Sequence, residues 1–451
     1  MKLFKLIVLV LCTGFLNVGC TSTESPEQLI KKPIYNEEES NAYLKINEVL
    51  DKGSIITFPK NSSEVASIND VDLNNNNIDE TIVFEKQEDL DEGSSKVGFS
   101  ILNDSKNGSY SVEDNYFVDG DSIEYANFYD LDNDGYKEII LLTKKDDKAT
   151  MEICKFKDNK ITRLTKFNPS WIENQDEFTE MKVIVENLDN DGKLDIIIAN
   201  FNPKTHVMAV SLTYFDQYIR LRDVDLFNDV KSLESVYINV KKVRKDSKGI
   251  VVDTKSFTGN DFYTTQILYL ENGKLEKAFD ENNIITKKPY YIPVQDINND
   301  GIAEIPIINS NSKYSYKTSA NVSWHIWNGK TKEHSNTVFV SQIYYNYKSN
   351  FKLSLPNNLA NQVYVEENYK DNKSEFFYYD LHHTEPVKLF TISKISKNKL
   401  DESKSPTTNN GGFIILENDA ESFILQVNSP KVFKDLNISE EAIKENFSVI
   451  Y

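Results

Sequence analysis

Four short segments of the chain repeat one arrangement of oxygen-bearing side chains. Each has aspartate or asparagine at its first, third and fifth positions and a carboxylate at its ninth. A hard cation such as Ca²⁺ takes about six to eight oxygen ligands, which a tight turn supplies from alternate residues and a backbone carbonyl. The predicted side-chain ligands are Asp72, Asn74, Asn76 and Glu80 in loop 1 (72–80), Asp130, Asp132, Asp134 and Glu138 in loop 2 (130–138), Asn187, Asp189, Asp191 and Asp195 in loop 3 (187–195), and Asp296, Asn298, Asp300 and Glu304 in loop 4 (296–304).

These loops differ from the EF-hand, which carries a bidentate glutamate at position 12 and lies between two helices. The residues at position 12 here are apolar, namely Val83, Leu141, Ile198 and Ile307. β-Branched residues follow each loop, and this enrichment predicts a strand. Position 6 of a tight turn requires a positive φ, which glycine and asparagine accept. It is occupied by Asn77, Gly135, Gly192 and Gly301.

The number of carboxylates differs among the four loops. Loop 2 has four, loops 3 and 4 have three each, and loop 1 has two. Because Ca²⁺ affinity increases with ligand charge, we predict about three to four bound Ca²⁺ ions, with the tightest in loop 2 and the weakest in loop 1. The alternative is that the loops are polar hairpin turns that hold no metal.

The loops recur at a nearly fixed interval. They begin at residues 72, 130, 187 and 296, so the intervals are 58, 57 and 109 residues, the last close to twice the others. A further copy is therefore expected near residue 244. Residues 244–252 keep a glycine at position 6 (Gly249) but place Lys248 at a ligand position. We interpret this segment as a repeat that kept its turn and lost its ion, and a coincidental turn is the alternative.

Each repeat contains four short segments with strand-like composition, separated by turn residues such as Asn272-Gly273. Four antiparallel strands in a repeat of this length form the unit of a β-propeller blade. We therefore predict an all-β fold, a β-propeller of about seven four-stranded blades with six as the alternative, and a short C-terminal helix at 439–447. A strand at 54–58 is expected to close the ring with C-terminal strands, because closure removes exposed edges.

The loop pattern followed by a carboxylate and two β-branched residues resembles FG-GAP/VCBS repeats, the calcium-bearing blades of the integrin-α N-terminal propeller. The resemblance covers residues 54–335 clearly and 336–427 weakly, and the Phe-Gly and Gly-Ala-Pro signature is not evident. It implies that the backbone carbonyl at position 7 completes each site, namely the carbonyls of Ile78, Tyr136, Lys193 and Ile302. The family includes adhesion proteins and many bacterial surface proteins, so the resemblance implies a fold and a metal more than an activity.

The N-terminus has the composition of a secretion signal. Lys2 and Lys5 precede an apolar run at 6–16 that is too short to span a membrane stably. Residues 1–19 resemble a bacterial lipoprotein signal, which implies lipidation of Cys20, for example with palmitate, and an anchor on the extracellular face of the cell membrane. A plain secretory signal is the alternative. Residues 20–41 are predicted to form a flexible tether and residues 42–451 the propeller.

The formal net charge of −19 limits the classes of partner. A surface of this charge argues against nucleic acid and anionic lipid headgroups, so membrane attachment would rest on the lipid anchor alone. Of the three cysteines, only Cys154 remains once residues 1–19 are removed and Cys20 is lipidated. We expect Cys154 to be a buried residue of a strand, without a disulfide.

No catalytic constellation emerges from the sequence. It contains no Gly-x-Ser-x-Gly elbow, no phosphate-binding loop and no Cys-x-x-Cys. We therefore predict a non-catalytic binding, adhesion or scaffold module whose partner is an extracellular glycan or protein. Trp324 and Trp327 would face opposite sides of one strand, which makes one of them a candidate stacking platform. The alternatives are an extracellular carbohydrate-active enzyme (lyase or hydrolase), which requires convergent acidic and basic groups on one face, and an envelope assembly factor.

Overall fold

The computed structural model describes most of the chain beyond the N-terminal segment. The described ranges are 37–60, 65–89, 93–105, 109–168, 170–259, 261–280, 285–308, 318–329, 336–379, 385–396 and 412–450. The predicted signal, Cys20 and residues 21–36 of the predicted tether lie outside these ranges. Helix α1 (Glu37–Val49) includes residues 37–41, the last part of that tether. Within the described ranges, no helix has the length and hydropathy needed to cross a membrane.

The described strands form six antiparallel sheets, numbered here in chain order. Sheet 1 contains β1 (Ser54–Ile56), β2 (Ile68–Val71), β3 (Glu80–Asp89), β4 (Ser94–Ser105) and β5 (Ser109–Asp119). Sheet 2 contains β6 (Ser122–Tyr129), β7 (Glu138–Lys145), β8 (Lys148–Lys157) and β9 (Lys160–Lys166). Sheet 3 contains β10 (Glu180–Glu186), β11 (Asp195–Asn202), β12 (Val207–Asp216) and β13 (Tyr218–Phe227).

The second half of the chain continues the same plan. Sheet 4 contains β14 (Tyr237–Arg244), β15 (Ser247–Lys255), β16 (Tyr263–Glu271), β17 (Lys274–Lys277) and β18 (Lys287–Lys288). Sheet 5 contains β19 (Ile305–Ile308), β20 (Ser319–Trp327), β21 (Thr337–Asn346), β22 (Phe351–Leu355) and β28 (Phe447–Val449). Sheet 6 contains β23 (Val363–Asn368), β24 (Lys373–Tyr378), β25 (Val387–Ser396), β26 (Phe413–Glu417) and β27 (Glu421–Val427).

Consecutive sheets pack face to face, and their middle strands are buried on both sides. Strand β11 is buried along its whole length. Ile196 and Ile198 pack with core residues of sheet 2, whereas Ile197 and Phe201 on the opposite face pack with core residues of sheet 4. This two-sided burial explains the continuous run of β-branched residues after loop 3, because alternation with polar residues is needed only when one face meets water. The same arrangement joins sheets 1 and 2, 4 and 5, and 5 and 6.

Helices cover the two ends of the series of sheets. Ile46 and Leu50 of α1 pack against Val83 and Leu102 on the outer face of sheet 1. Helices α2 (Pro430–Asp435) and α3 (Glu440–Glu445) follow sheet 6, and their apolar residues join its core. The Ser439 hydroxyl accepts a hydrogen bond from the Ala442 N–H at 3.0 Å, so it caps α3 as serine commonly does.

The all-β fold, the four-stranded repeat unit and the short C-terminal helix are confirmed. The six sheets have the architecture of propeller blades and match the smaller of the two predicted blade numbers. The expected pairing of N- and C-terminal strands is wrong. Strand β1 pairs with β3 inside sheet 1, because β3 is long enough to pair with both β1 and β2. The C-terminal strand β28 instead pairs with β22 in sheet 5.

Candidate metal centres

The four predicted loops occupy equivalent places in the fold. Loops 1, 2 and 3 connect the first and second strands of their units, from β2 to β3, from β6 to β7 and from β10 to β11. Loop 4 leads into β19 of sheet 5 and is closed by the Gln295–Glu304 bridge. In sheet 4 the corresponding connection, between β14 and β15, is a hairpin turn at residues 245–246. The predicted degenerate copy at 244–252 therefore lies where a metal loop would be, but has no loop of that length.

The loops lie side by side along one edge of the consecutive sheets. The Lys137 N–H donates to the Leu73 carbonyl at 2.8 Å, which joins loop 2 to loop 1. The Asn133 amide donates to the Gly192 carbonyl of loop 3 at 3.4 Å. The Ala303 N–H of loop 4 donates to the Lys242 carbonyl at the end of β14 at 2.8 Å. Repulsion between neighbouring acidic loops is therefore concentrated at this edge.

All four loops share one backbone conformation with two left-handed residues. Position 6 has positive φ, between 63° at Asn77 and 90° at Gly135. Position 4 is asparagine in every loop and also has positive φ, between 58° and 60°. Asparagine tolerates this conformation, so its recurrence at position 4 is a further signal of the turn in the sequence, beside the spacing of the ligands. The four residues at position 4 are Asn75, Asn133, Asn190 and Asn299.

Loop 4 brings its carboxylates together around a buried oxygen without a partner. The carboxyl oxygens of Asp296, Asp300 and Glu304 come within 4.8 Å of one another. Glu304 is fully buried, and its Oε2 accepts the Ile297 N–H at 2.9 Å, whereas its Oε1 has no hydrogen-bond partner. Burial, together with the negative charges of Asp300 and Asp296, raises the pKa of Glu304. A buried acceptor facing two further carboxylates fits a hard cation, which would supply the missing partner and balance the charge.

Loop 2 has a comparable cluster, but a lysine reaches into it. Asp130, Asp132 and Glu138 place their carboxyl oxygens within 4.8 Å of one another. The Lys155 ammonium, on β8, lies 2.7 Å from Asp134 Oδ2, 2.8 Å from Glu138 Oε1 and 3.7 Å from Asp132 Oδ2. Burial alone would lower the pKa of Lys155, but its hydrogen bonds to Asp134 and Glu138 raise it above the ordinary value. Lys155 therefore competes with a metal for these oxygens, a factor that a count of carboxylates within the loop leaves out.

In loop 3 an arginine bridges two of the predicted ligands. Arg222 of β13 donates to Asp195 Oδ1 and to Asp189 Oδ2, both at 2.7 Å. In addition, the Lys248 ammonium from sheet 4 donates to the Asn187 carbonyl at 3.0 Å. A single guanidinium thus offsets about half the charge of the two aspartates and forms charge-assisted hydrogen bonds with both. Loop 3 consequently suits a cation less well than loop 4 does.

Loop 1 has the fewest charges and satisfies much of its own hydrogen bonding. Glu80 Oε2 accepts the Leu73 N–H at 2.9 Å, and its Oε1 accepts a hydrogen bond from the Asn74 amide. Asp72 accepts the N–H groups of Asn76 and Asn77 at 3.1 and 2.8 Å. The Asn74 carbonyl oxygen is buried without a partner. These contacts close the turn without a metal, in line with the predicted low affinity of this loop.

The pKa of Glu304 predicts opposite effects of acid on the free and the calcium-bound protein. Its pKa in the folded chain is above the ordinary value of 4.5, so the folded chain binds this proton more tightly than the unfolded chain does. Without calcium, this group therefore adds stability as the pH falls from neutral towards 4.5, and the gain is lost as the pH rises through the folded pKa. With calcium, protonation competes with the metal.

We expect the difference in melting temperature between wild type and Glu304→Gln to show this effect. Both proteins are melted in EGTA at about pH 7 and at about pH 5.5. The melting temperature of the wild type should rise relative to that of the variant at the lower pH, since only the wild type can take up this proton. In calcium, the advantage of the wild type should shrink at the lower pH. A difference that does not change with pH in either condition contradicts the assignment of Glu304.

Replacing Lys155 by methionine should increase the calcium affinity of loop 2. The change removes a positive charge from beside the metal position, and a like charge about 4 Å from an ion costs about 1 kcal/mol even in water, so the gain should be at least about fivefold. Without calcium the variant should be less stable than wild type, because the buried carboxylate of Glu138 loses its partner. Calorimetric titration with calcium measures the first effect and melting in EGTA the second. Lys274→Met, at an exposed position of β17 in sheet 4, is the control and should change neither.

Two aromatic candidates from the sequence belong to the core. Trp324 and Trp327 of β20 are both buried, with exposures of 0% and 2%. Trp324 packs with Val322 and Ile343 in one cluster, and Trp327 packs with Ile267 and Tyr269 of sheet 4 in another. The expectation that one of them is an exposed platform is therefore wrong, because neighbouring groups cover both faces of this sheet. Cys154 lies fully buried in β8 as predicted, and burial raises the pKa of its thiol to about 12.

Comparisons with known proteins identify no family. No protein-family model matches this chain, and no curated protein matches it. Among solved structures, similar chains include a "putative 6-phosphogluconolactonase" from Bacteroides uniformis (12% identity, 74% of this chain and 94% of that one, TM-score 0.27). Others are a protein from Lactobacillus plantarum (6%, 76% and 82%, TM-score 0.22) and exo-inulinase from Aspergillus awamori (10%, 74% and 81%, TM-score 0.26). Similarity at this level supports no inference about activity, so function must be argued from the loops and surfaces themselves.

Proposed function

We propose that this chain is a calcium-stabilised, non-catalytic module that binds or scaffolds other molecules outside the cell. The observation that carries the proposal is the buried Glu304 oxygen, which has no partner and faces the carboxylates of Asp296 and Asp300. A calcium ion there would bind these carboxylates together with Asn298 and the Ile302 carbonyl. It would thereby tie the loop to the start of β19. The ion would balance charge and stiffen the turn, and no reaction is assigned to it.

The repetition of the loop along one edge supports a structural role for the metal. Four copies share one backbone conformation, and each immediately precedes a buried strand. The same features underlie the resemblance to FG-GAP/VCBS repeats. Loops 2 and 3 carry a built-in cation, Lys155 or Arg222, where the resemblance implies calcium. We propose that loop 4 is the tightest calcium site, that loop 2 binds more weakly than its charge suggests, and that the lysine and arginine take over part of the metal's role.

Display on the cell surface through a lipid on Cys20 completes the proposal. It rests on the sequence of residues 1–20, and it predicts a mature chain that lacks residues 1–19 and carries a lipid. Mass spectrometry of the chain purified from membranes tests it. An unmodified Cys20, or a chain that keeps residues 1–19, contradicts it.

Binding of the full chain to an array of glycans and matrix proteins tests the proposed role. The array is probed with calcium and again with EGTA. Calcium-dependent binding to one class of ligand supports a surface receptor or adhesin, and absence of binding together with thermal stabilisation by calcium supports a scaffold. Consumption of a ligand over time contradicts the non-catalytic role and favours a carbohydrate-active enzyme.

A further inference from the structure

A large cavity lies where the first strands of sheets 2, 3 and 4 approach one another. Its volume is about 880 Å³, within the range of small-molecule binding sites. Residues near the beginning of β6, β10 and β14 line it, among them Tyr125, Lys182 and Tyr237. The metal loops 2 and 3 follow the ends of β6 and β10. The cavity is therefore separate from the candidate metal centres.

The first strands around this cavity are the edge strands of their sheets. In the described part of the chain, β6, β10 and β14 each stand first in the strand order of their sheets and pair with a single neighbour. The free edge of a strand presents backbone N–H and C=O groups, to which an extended peptide can pair. Few ligands other than a peptide can use both groups in alternation.

The charges that line the cavity are balanced, although the whole chain carries −19. Lys60 and Glu124 neutralise each other, with Nζ 2.9 Å from Oε1. The other charged lining residues are two lysines and two glutamates: Lys144, Lys182, Glu180 and Glu234. A site with equal numbers of positive and negative groups is complementary to a ligand that carries both a positive and a negative charge, and not to a polyanion or a polycation.

Lys182 is the best placed of these groups to hold an anion. Its ammonium is half-buried and donates to the Val236 carbonyl at 2.7 Å. An ammonium has three N–H donors, and this is the one hydrogen bond that the described residues provide to it. Burial lowers the pKa of Lys182, and the nearby Glu234 and Glu180 oppose that shift. A ligand carboxylate would use the remaining donors and offset the cost of burying the charge.

The acidic groups lie on the neighbouring elements. Glu180 is two residues before Lys182, so both side chains lie on the same face of β10, roughly 7 Å apart along the strand. Glu234 is exposed, in the short helix Leu233–Ser235 that precedes β14. Apolar side chains also line the cavity, namely Leu142, Met181, Val183, Leu233 and Ile238. The cavity thus offers a cation, carboxylates and an apolar floor within one enclosure.

We propose that this cavity binds a short peptide with free ends, its carboxylate held by Lys182 and its ammonium held by Glu180 and Glu234. The peptide backbone would lie along the free edge of β10, with an apolar side chain against Met181. An extended chain advances roughly 3.3 Å per residue, so about three residues span a cavity of this volume. This inference rests on the binding role proposed above and assigns that role a ligand class.

Calorimetric titration of the full chain, kept in calcium, tests the proposal with four probes. The first is the tripeptide Ala-Leu-Ala, and the next two are its N-acetylated and its C-amidated forms. The fourth is tri-galacturonate, an acidic sugar without an ammonium group. We expect the free peptide to bind and each blocked form to bind about tenfold more weakly, because each has lost one charge-assisted contact.

Two variants assign the ends of the peptide to residues. Lys182→Met should abolish the preference for the free carboxylate over the amide. Glu234→Gln, a conservative change at an exposed position, should reduce the preference for the free amino group. Lys241→Met and Glu276→Gln, which are exposed and lie outside the cavity, are matched controls and should leave both preferences unchanged. If Lys182→Met does not fold, Glu234→Gln decides the test.

Three results would overturn the proposal: no binding of the free peptide, equal binding of free and blocked peptides, or binding of tri-galacturonate in place of the peptide. The outcome is distinguishable from that of the proposed function. A chain that calcium stabilises but that binds no peptide would leave the calcium-stabilised module intact and remove this ligand. A chain that binds the peptide but is not stabilised by calcium would support the peptide as ligand and contradict the calcium-stabilised module.

Discussion

Replacing Glu304 by glutamine should remove most of the stabilisation by calcium and leave the calcium-free protein no less stable than wild type. Glutamine keeps an acceptor for the Ile297 N–H and eliminates the buried carboxylate without a partner. At a calcium concentration about 100-fold above the dissociation constant, wild type should gain about 2.7 kcal/mol, and the variant should lose most of this gain. Melting temperatures of both proteins in EGTA and in calcium measure the two effects.

The exposed Glu276 supplies the control, because Glu276→Gln makes the same chemical change away from any loop. The melting temperature of that variant should equal that of wild type both in EGTA and in calcium. If Glu304→Gln melts well below wild type in EGTA, the carboxylate stabilises the fold by a contact other than a metal. If it keeps the full response to calcium, loop 4 is not the main site. Either result would contradict the account of loop 4.

Replacing Lys288 by methionine should destabilise the chain by about 3–5 kcal/mol, the usual cost of breaking a buried ion pair. Lys288 and Asp253 have side-chain exposures of 0% and 2%, and their charged atoms lie 2.8 Å apart. The ammonium also donates to Thr265 Oγ1 at 2.7 Å and to the Ile292 carbonyl at 2.8 Å. These contacts link residues 288–292, in the segment that leads into loop 4, to strands β15 and β16 of sheet 4. The free energy of unfolding in urea measures the loss.

Two further variants separate the ion pair from the loss of side-chain packing. Lys274→Met, at an exposed position of β17, should change the free energy of unfolding by less than about 0.5 kcal/mol. The double variant Asp253→Asn with Lys288→Met should be more stable than Lys288→Met alone, because it no longer buries a carboxylate without its partner. A double variant that is less stable than the single one would show that the pair is not the source of the effect.

The shared conformation of the four loops could be predicted from the sequence because all its features are local. Ligand spacing, left-handed positions and the following strand lie within about twelve residues of each other. The basic groups that enter loops 2 and 3 could not be predicted in the same way. Lys155 faces Glu138 across the β7–β8 hairpin, and Arg222 comes from β13, 27 residues beyond Asp195. Their positions depend on strand register, which a pattern of single residues does not specify.

Helix α1 and the cavity show two other limits of prediction from sequence. Ile46 and Leu50 are four residues apart, a spacing typical of one helix face, but the prediction passed from the tether (20–41) directly to the propeller (42–451) without a helix. The charged groups of the cavity, from Lys60 to Glu234, come from five separate parts of the chain. Only the packing of sheets 2, 3 and 4 brings them together. Convergent acidic and basic groups, which the alternative of a carbohydrate-active enzyme requires, therefore occur in the structure, and the tri-galacturonate probe tests that alternative.

The acidic loops and the cavity occupy different places in the fold and are proposed to have different roles. The acidic loops lie along one edge, where a metal or a basic side chain can relieve the repulsion between them. The cavity lies near the beginning of the first strands, away from the ends that carry the loops. Calcium would therefore act on ligand binding through the stability of the sheets and not by direct contact. Loss of calcium should lower peptide affinity only when the fold itself is weakened.

Calorimetric titration of the full chain with calcium at about pH 7, alongside Glu304→Gln, tests the central claim most directly. The account predicts saturable binding to wild type and loss of the tightest site in the variant. Extracellular calcium sites bind as weakly as about 10⁻³ M, so the titration should extend to about tenfold above that concentration. Absence of saturable binding across this range, or an unchanged tightest site in Glu304→Gln, would contradict the claim that loop 4 holds calcium.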